Sequence, residues 1–254
     1  MDFIAIIPAR FLSSRLPGKP LKIINGKPMI LHVMEKVISS KANRVIIATD
    51  DYKIYQVVKK AYGEVFLTSN IHKSGTERIS EIIKKLNFKN DQIIINVQGD
   101  EPLILPELIN KVIFNFIKLN PSIETLAVPI VSEKEMNNFN IIKLITDINN
   151  YAIYFSRSSI PFINNKKNFF KNYKNEIKKN IFRHIGIYAY TAGFIKKYLS
   201  WPESFLEKIE SLEQLRVLKY GKKIHVTITN KYSGISVDTK EDLNIVKKIF
   251  KKYK

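Results

Sequence analysis

Three cationic side chains follow the first apolar segment within one short loop. The segment Phe3 to Pro8 is apolar, and Arg10, Arg15 and Lys19 come directly after it. Such a strand is typical of the centre of a parallel sheet, whose ligands bind beyond the carboxyl ends of the strands. Arginine can hold two phosphate oxygens, whereas lysine acts as a point charge. The loop predicts a polyphosphate site. The alternative is a solvated basic loop, and the single Gly18 excludes a Walker or GxGxxG motif.

A carboxylate follows a second apolar segment. Ile93 to Val97 is followed by Gln98, Gly99 and Asp100, and the next helix is expected to begin near Pro106. Glycine permits a close backbone approach, and an aspartate is a good ligand for a hard cation that also holds phosphate oxygens. Because the helix begins well downstream, metal binding explains Asp100 better than helix capping does.

Asp238 is the candidate partner of Asp100. It precedes Thr239 and a helix expected to run towards Phe250. Either Asp238 or Thr239 could simply cap that helix. The alternative is that Asp100 and Asp238 converge on one magnesium ion that bridges the phosphates.

A capping box is predicted before the helix that follows Ser74. Ser74 and Glu77 have the S-x-x-E spacing, which capping explains fully. Gly75 and Arg78 are left unexplained by capping. A helix N-terminus near the phosphate loop is also a favourable site for an anion or a ribose, so both interpretations stay open.

Polar residues in the second half are candidates for binding an acidic acceptor rich in hydroxyl groups. They are Arg157, His184, Tyr188 and Gln214. Glu210 and Gln214 lie four residues apart, and we expect both on one face of a helix from Leu206 to Leu218. Single residues of these types are usually structural, so composition alone supports this set weakly.

Short β-branched segments alternate with helical apolar spacing in the first half, which predicts a helix-covered, mostly parallel Rossmann-like α/β sheet. The strands are expected at Phe3 to Pro8, Val45 to Ala48, Val65 to Leu67, Ile93 to Val97 and Leu126 to Ile130. The helices are expected at Pro28 to Ile38, Tyr52 to Ala61, Gly75 to Leu86 and Pro106 to Leu119.

The pattern becomes a smaller, mixed α/β region after about Asn140. Strands are expected there at Ile142 to Ile145, Ala152 to Ser156, Gly186 to Ala189 and Lys223 to Thr229. No linker divides the chain. We expect one domain, 1–254, with a nucleotide-binding half (1–135) and a half for acceptor binding and dimerisation (136–254).

Composition indicates a cytoplasmic protein without membrane insertion. The 254 residues include no cysteine, and no apolar run of about 18 residues could span a bilayer. The net charge of +19 suggests nucleic acid, but the lysines are spread along the chain and no aromatic stacking motif accompanies them. We expect no nucleic-acid partner. The densest basic stretch, Asn164 to Lys179, is expected to be a solvated loop.

Several motifs together resemble the 3-deoxy-manno-octulosonate (Kdo) cytidylyltransferase family. They include Arg15-Leu-Pro-Gly-Lys-Pro20, Ser74-Gly-Thr-Glu-Arg78, Asn96-Val-Gln-Gly-Asp-Glu-Pro102, Arg183-His-Ile-Gly-Ile-Tyr188 and Leu212-Glu-Gln-Leu-Arg216. The first is shared with other sugar nucleotidyltransferases, and the second, fourth and fifth are more specific. The resemblance covers essentially the whole chain and implies the nucleotide-diphospho-sugar transferase type of fold.

The resemblance implies transfer of CMP from CTP to Kdo with release of pyrophosphate, for lipopolysaccharide biosynthesis, by a homodimer that uses Mg²⁺. The implied CTP-binding residues are Ala9, Arg10, Arg15, Lys19, Ser74, Gly75, Arg78 and Gln98. Asp100 and Asp238 would hold the metal, and these two with Arg15 and Lys19 form the catalytic set. Arg157, His184, Tyr188, Glu210 and Gln214 would face Kdo.

The expected mechanism is direct in-line attack of the anomeric hydroxyl of Kdo on the α-phosphorus, without a covalent enzyme intermediate. Alternatives are a cytidylyltransferase for another keto-acid sugar such as sialic acid, and a non-catalytic sugar-nucleotide binder. The sequence departs from the family at Asn138 to Lys143, where relatives carry an Asn-Pro-Asn turn, and at Phe205, where proline is common. Neither departure removes a proposed ligand.

Overall fold

A computed structural model of the protein describes residues 2–12, 15–164, 169–231 and 235–252. The strands are β1 (Phe3–Ala9), β2 (Ile23–Ile24), β3 (Lys27–Pro28), β4 (Arg44–Thr49), β5 (Glu64–Leu67), β6 (Ile93–Asn96), β7 (Ile123–Pro129), β8 (Lys143–Thr146), β9 (Ala152–Ser156), β10 (Ile181–Thr191) and β11 (Ile224–Ile228). The helices are α1 (Met29–Ile38), α2 (Tyr52–Lys60), α3 (Gly75–Lys85), α4 (Pro106–Leu119), α5 (Glu133–Asn137), α6 (Phe169–Asn172), α7 (Lys174–Asn180), α8 (Ala192–Ser200), α9 (Phe205–Glu210), α10 (Gln214–Lys219) and α11 (Lys240–Lys252).

The chain forms two compact units. The first contains residues 1–114, 189–196 and 233–254, and the second contains 115–188 and 197–232. The C-terminal segment therefore folds with the N-terminal part of the chain, and the units are not separated at one point in the sequence. The expectation of one domain with two halves stays a prediction.

Strand β1 lies inside the parallel sheet of the first unit, whose order is β6-β1-β4-β5. Every residue of β1 is buried, as expected for a strand covered on both faces. Helices α1 and α3 pack against β1 and β4. Because the strands are parallel, the loops after Ala9, Thr49 and Asn96 leave from the same edge of the sheet. The predicted parallel α/β sheet is confirmed.

Helix α11, near the C-terminus, packs against N-terminal residues of the first unit. Val237, Leu243 and Val246 form one buried apolar cluster with Leu16 and Met29. Leu16 follows Arg15, and Val237 precedes Asp238. Apolar packing on α11 therefore positions two of the predicted catalytic residues.

The second unit contains the predicted mixed sheet. Strand β11 pairs in parallel with β7, whereas β8 pairs antiparallel with both β9 and β10. The strand expected at Gly186 to Ala189 is longer than predicted and covers Ile181–Thr191. Thr125 on β7 and His184 on β10 are both buried within this unit.

Two predictions about the second unit are wrong. The helix expected from Leu206 to Leu218 is interrupted, because Ser211 adopts the left-handed φ of 52° that ends α9. Glu210 and Gln214 therefore lie on different helices. The loop expected at Asn164 to Lys179 contains α6 and α7, with Ile177 buried. Residues 165–168 of that stretch, and Ser13 and Ser14 of the first loop, lie outside the described residues.

Within the part of the chain that the structure describes, no helix combines the length and the apolar character needed to cross a membrane.

Candidate active site

The first loop brings its cationic residues to one cavity of the first unit. Gly18 has φ 64°, and its N–H donates to the carbonyl of Phe11 at 3.1 Å. Glycine tolerates this left-handed conformation, so the loop closes on itself before Lys19. The cavity beyond it has a volume of about 620 Å³. The described residues that line it include Ala9, Arg10, Arg15, Lys19, Gln98, Asp100 and Asp238.

Lys19 joins the two predicted metal ligands. Its Nζ lies 2.6 Å from Asp100 Oδ2 and 3.1 Å from Asp238 Oδ1. Arg15 Nη2 lies 3.1 Å from the same oxygen of Asp238. Burial by itself lowers the pKa of Lys19, but the attraction of the two carboxylates outweighs burial and raises the pKa above its usual value. The two carboxylates thus converge on one cation.

Backbone contacts hold the two aspartates side by side. The N–H of Val237 donates to the carbonyl of Asp100 at 2.9 Å. The start of α11 is capped by Thr239, whose hydroxyl accepts from the N–H of Asp242 at 3.2 Å and donates to the Asp242 carboxylate at 2.9 Å. Capping therefore accounts for Thr239, while the carboxylate of Asp238 faces Lys19.

Gly99 permits the close approach that brings Asp100 to the cavity. A Cβ atom on Gly99 would lie 3.0 Å from the carbonyl oxygen of Pro8, which is tighter than ordinary packing allows. Helix α3 begins near the same strand end, because a Cβ on Gly75 would lie 3.3 Å from the Pro8 side chain. Ser74 caps α3 by accepting from the N–H of Glu77 at 3.2 Å. The N-terminus of α3 is thus next to the end of β1, where it favours negative charge.

Arg78 supports the first loop from inside the first unit. It is 2% exposed, and its Nη2 donates to Asp50 Oδ2 at 2.7 Å. The other carboxylate oxygen, Asp50 Oδ1, accepts from the N–H of Phe11 at 3.2 Å. The side chain of Arg78 thus fixes the loop through Asp50, and its direct contact with CTP stays a prediction. Sequence reasoning missed Asp50, although its position directly after β4 places it at the same edge of the sheet.

His184 is held in one tautomer within the second unit. Its Nε2 lies 2.9 Å from Thr125 Oγ1, and that hydroxyl donates to the carbonyl of Ile187 at 2.7 Å. With the single hydroxyl hydrogen of Thr125 assigned to the Ile187 carbonyl, Nε2 carries the imidazole proton and donates to Thr125. Nδ1 is then a buried acceptor without a partner among the described residues. Burial lowers the pKa of His184 to about 3, so the ring is neutral.

Tyr188 orients the amide of Gln214. Its hydroxyl donates to Gln214 Oε1 at 3.3 Å, which leaves Gln214 Nε2 as a buried donor without a partner among the described residues. Burial raises the pKa of Tyr188, so the phenol stays protonated. The second unit thus offers one unused acceptor on His184 and one unused donor on Gln214, which suits hydroxyl groups of a sugar.

Glu210 holds Arg157 in place. Its two carboxylate oxygens accept from the Ser156 hydroxyl at 2.6 Å and from the N–H of Arg157 at 2.8 Å. Arg157 Nε also donates to the Glu210 carbonyl at 2.8 Å. The ring of Phe155, two residues before Arg157, lies 5.2 Å from that of His184, so β9 contacts His184. The observed contacts of Glu210 are with Ser156 and with Arg157, which it supports, and direct contact of Glu210 with Kdo stays a prediction.

A basic loop after β1, Asp100 after β6 and Asp238 just before α11 line one cavity beside a parallel sheet, an arrangement typical of a nucleotidyltransferase. The cytidylyltransferase family model matches residues 4–224. A 3-deoxy-manno-octulosonate cytidylyltransferase of Yersinia enterocolitica is 51% identical over 249 residues, 98% of each chain. The protein of that name from Sodalis glossinidius is 52% identical over 243 residues, 96% of each chain. The chain belongs to the 3-deoxy-manno-octulosonate cytidylyltransferase family.

One solved structure supports this assignment, and a second supports the fold. A CMP:2-keto-3-deoxy-manno-octonic acid synthetase complexed with CTP has a TM-score of 0.87 and 36% identity, covering 100% of this chain and 99% of that one. The 4-diphosphocytidyl-2C-methyl-D-erythritol synthase of Anaerococcus prevotii has a TM-score of 0.63 and 15% identity, covering 98% of this chain and 99% of that one. The second likeness shows the fold alone.

Proposed function

We propose that this protein transfers CMP from CTP to Kdo and releases pyrophosphate, supplying the activated sugar for lipopolysaccharide biosynthesis. The observation that carries the proposal is the cavity of the first unit, where Arg15 and Lys19 meet Asp100 and Asp238. Two cations suit the triphosphate, and two carboxylates suit a metal that neutralises it. The whole-length similarity to Kdo cytidylyltransferases favours Kdo over sialic acid as the acceptor.

Arg10, Arg15 and Lys19 would hold the phosphates of CTP. All three line the same cavity, together with Gln98. The N-terminus of α3, with Ser74 and Gly75, would contribute backbone N–H groups near the nucleotide. Ala9 at the end of β1 would contribute backbone contacts, and Arg78 would support the loop from below.

Asp100 and Asp238 would hold Mg²⁺. The residues fit this ion, because their carboxylate oxygens already converge on the ammonium of Lys19 at 2.6 and 3.1 Å, and hard cations prefer oxygen ligands. Among the described residues no group of three or more His, Asp or Glu could hold a metal ion. Phosphate and water oxygens would therefore complete the coordination. When bound, the ion neutralises charge on the phosphates.

The chain's own residues would act by positioning and charge. The anomeric hydroxyl of Kdo attacks the α-phosphorus in line and loses its proton to water, and the bond between the α-phosphorus and the leaving pyrophosphate breaks. Lys19 and Arg15 stabilise the negative charge that moves onto pyrophosphate. No residue needs to become covalently attached to the nucleotide.

Arg157, His184 and Gln214 would bind the acceptor sugar. The guanidinium of Arg157 suits the Kdo carboxylate. The unused acceptor on His184 and the unused donor on Gln214 suit its hydroxyl groups. The test is pyrophosphate release from CTP with Kdo, with sialic acid or with no sugar. We expect release with Kdo, and faster release with sialic acid would favour the alternative acceptor.

We further propose that the protein is cytoplasmic, because its substrate CTP is a cytoplasmic nucleotide. We also propose that it is a homodimer, because the second unit exposes large apolar side chains that a partner could cover. They include Ile148 at 96% exposure, Phe162 at 82% and Phe205 at 75%. Light scattering should give twice the chain mass of 29.5 kDa. A mass of one chain at micromolar concentration would contradict the dimer, and fractionation of cells that make the protein tests the compartment.

A further inference from the structure

Lys143 is a buried lysine that the proposed reaction does not use. It is the first residue of β8 and is 0% exposed. Its Nζ donates to the carbonyl of Ile141 at 2.7 Å, to that of Asn138 at 3.0 Å and, at short range, to that of Arg157. A lysine ammonium has three protons, so all of its donors are used on main-chain carbonyls.

These carbonyls belong to two segments of the second unit. Asn138 and Ile141 lie in the turn that leads into β8, and Arg157 directly follows β9. The same turn accepts a further hydrogen bond, because Arg157 Nη1 donates to the Phe139 carbonyl at 3.3 Å. Lys143 therefore joins the turn to the backbone of Arg157.

Arg157 is consequently held from two sides. Glu210 accepts from its N–H and Nε atoms through a carboxylate oxygen and a carbonyl, each at 2.8 Å. Lys143 donates to its carbonyl. The N–H of His184 donates to the carbonyl of Ile142 at 2.9 Å, so the turn also contacts the second proposed acceptor-binding residue.

We propose that Lys143 is a positioning residue for acceptor binding, whose ammonium fixes the Arg157 backbone and the turn at 138–141 so that the Arg157 guanidinium meets the carboxylate of the sugar. This inference rests on the proposed function, in which Arg157 binds Kdo. An apolar side chain of the same length would leave three main-chain carbonyls without this donor, and a displaced Arg157 would bind its ligand more weakly.

The surroundings of Lys143 make its charge sensitive to pH. Burial, assisted by the nearby charge of Arg157 and opposed by Glu210, lowers the pKa of Lys143 to about 8. Arg183 lies opposite Lys143 on β10 and adds a second cation nearby. A neutral amine has only two protons for three carbonyls, so the positioning should weaken above that pH.

The test compares Lys143→Met with Lys219→Met, which removes an exposed lysine of α10. We measure the KM for Kdo and the KM for CTP in each, well below the unfolding temperature of each variant. In Lys143→Met we expect the KM for Kdo to rise roughly 10-fold or more with the KM for CTP within about twofold of wild type. In wild type the KM for Kdo should rise above about pH 8, and in Lys143→Met this rise should be absent.

An unchanged KM for Kdo in folded Lys143→Met would overturn the inference. So would an equal rise of both KM values, because that indicates a general structural role. If Lys143→Met does not fold, the wild-type pH series decides, and a KM for Kdo that is constant from neutral pH to above the Lys143 pKa would overturn the inference. Wild-type protein that does not use Kdo at any pH would instead refute the proposed function, and this inference with it.

Discussion

Replacing Lys19 by Met removes the cation that joins Asp100 and Asp238 while keeping an apolar stem of similar length. Its ammonium lies 2.6 Å from one carboxylate and 3.1 Å from the other. Removal of a preorganised group that stabilises transition-state charge typically lowers kcat by about 10²- to 10³-fold, or about 3 to 4 kcal/mol. We expect kcat/KM of Lys19→Met to fall by that amount.

The same change should cost some stability. The two carboxylate oxygens share one ammonium, so they lie at most about 6 Å apart, and two unit charges at that distance repel by about 0.7 to 3 kcal/mol for dielectric constants of 80 to 20. Arg15, which contacts Asp238, offsets part of this repulsion. We expect the free energy of unfolding to fall by about 1 to 2 kcal/mol, so the variant should fold.

The assay is steady-state pyrophosphate release, with urea unfolding measured on the same samples. The matched control is Lys27→Met, which breaks the exposed ion pair of Lys27 with Glu35 at 2.6 Å. This control should keep wild-type kcat/KM and lose less than about 1 kcal/mol of stability. A Lys19→Met variant within about threefold of wild-type kcat/KM, against the 10²-fold expected, would refute the reasoning.

Three further predictions concern packing, pH and a buried ion pair. Gly99→Ala should lower the free energy of unfolding by about 1 to 3 kcal/mol and should also lower kcat/KM, because the added Cβ would press on the Pro8 carbonyl. A variant as stable in urea as wild type would contradict this. His184 has its folded pKa lowered from 6.5 to about 3, so its contribution to stability is present above pH 6.5 and is lost as pH falls towards 3. Between those values the difference in unfolding free energy between wild type and His184→Gln should shrink by about 1.4 kcal/mol per pH unit, and a constant difference would contradict it. Arg216→Met should cost about 3 to 5 kcal/mol, because it leaves buried Glu207 without its bidentate partner at 2.6 and 2.7 Å; a urea midpoint close to wild type would refute this.

The sequence pattern predicted the first unit well because local signals and sheet rules agree there. Apolar segments identified the strands, and parallel strands bring the loops that follow them to one edge of the sheet. Asp100 could therefore be placed near Lys19 from the sequence alone. Asp238 could be suggested as a partner, but the choice between ligand and cap needed the observed contacts of Thr239 with Asp242.

The second unit was less predictable because its key contacts are long-range. Helical spacing gave no sign of the break at Ser211, which depends on one left-handed residue. That break separates Glu210, which holds Arg157, from Gln214, which bonds to Tyr188. The role of Thr125 opposite His184 likewise depends on the pairing of strands far apart in the chain.

The most direct test of the account follows the α-phosphate of CTP. Protein incubated with Kdo, Mg²⁺ and CTP labelled at the α-phosphorus should transfer the label into a CMP-sugar in equal amount to the pyrophosphate released. Asp100→Asn should lower the rate of transfer by about 10²-fold or more while the protein stays folded. Label that remains in CTP with wild-type protein, or Asp100→Asn protein as active as wild type, would contradict the account.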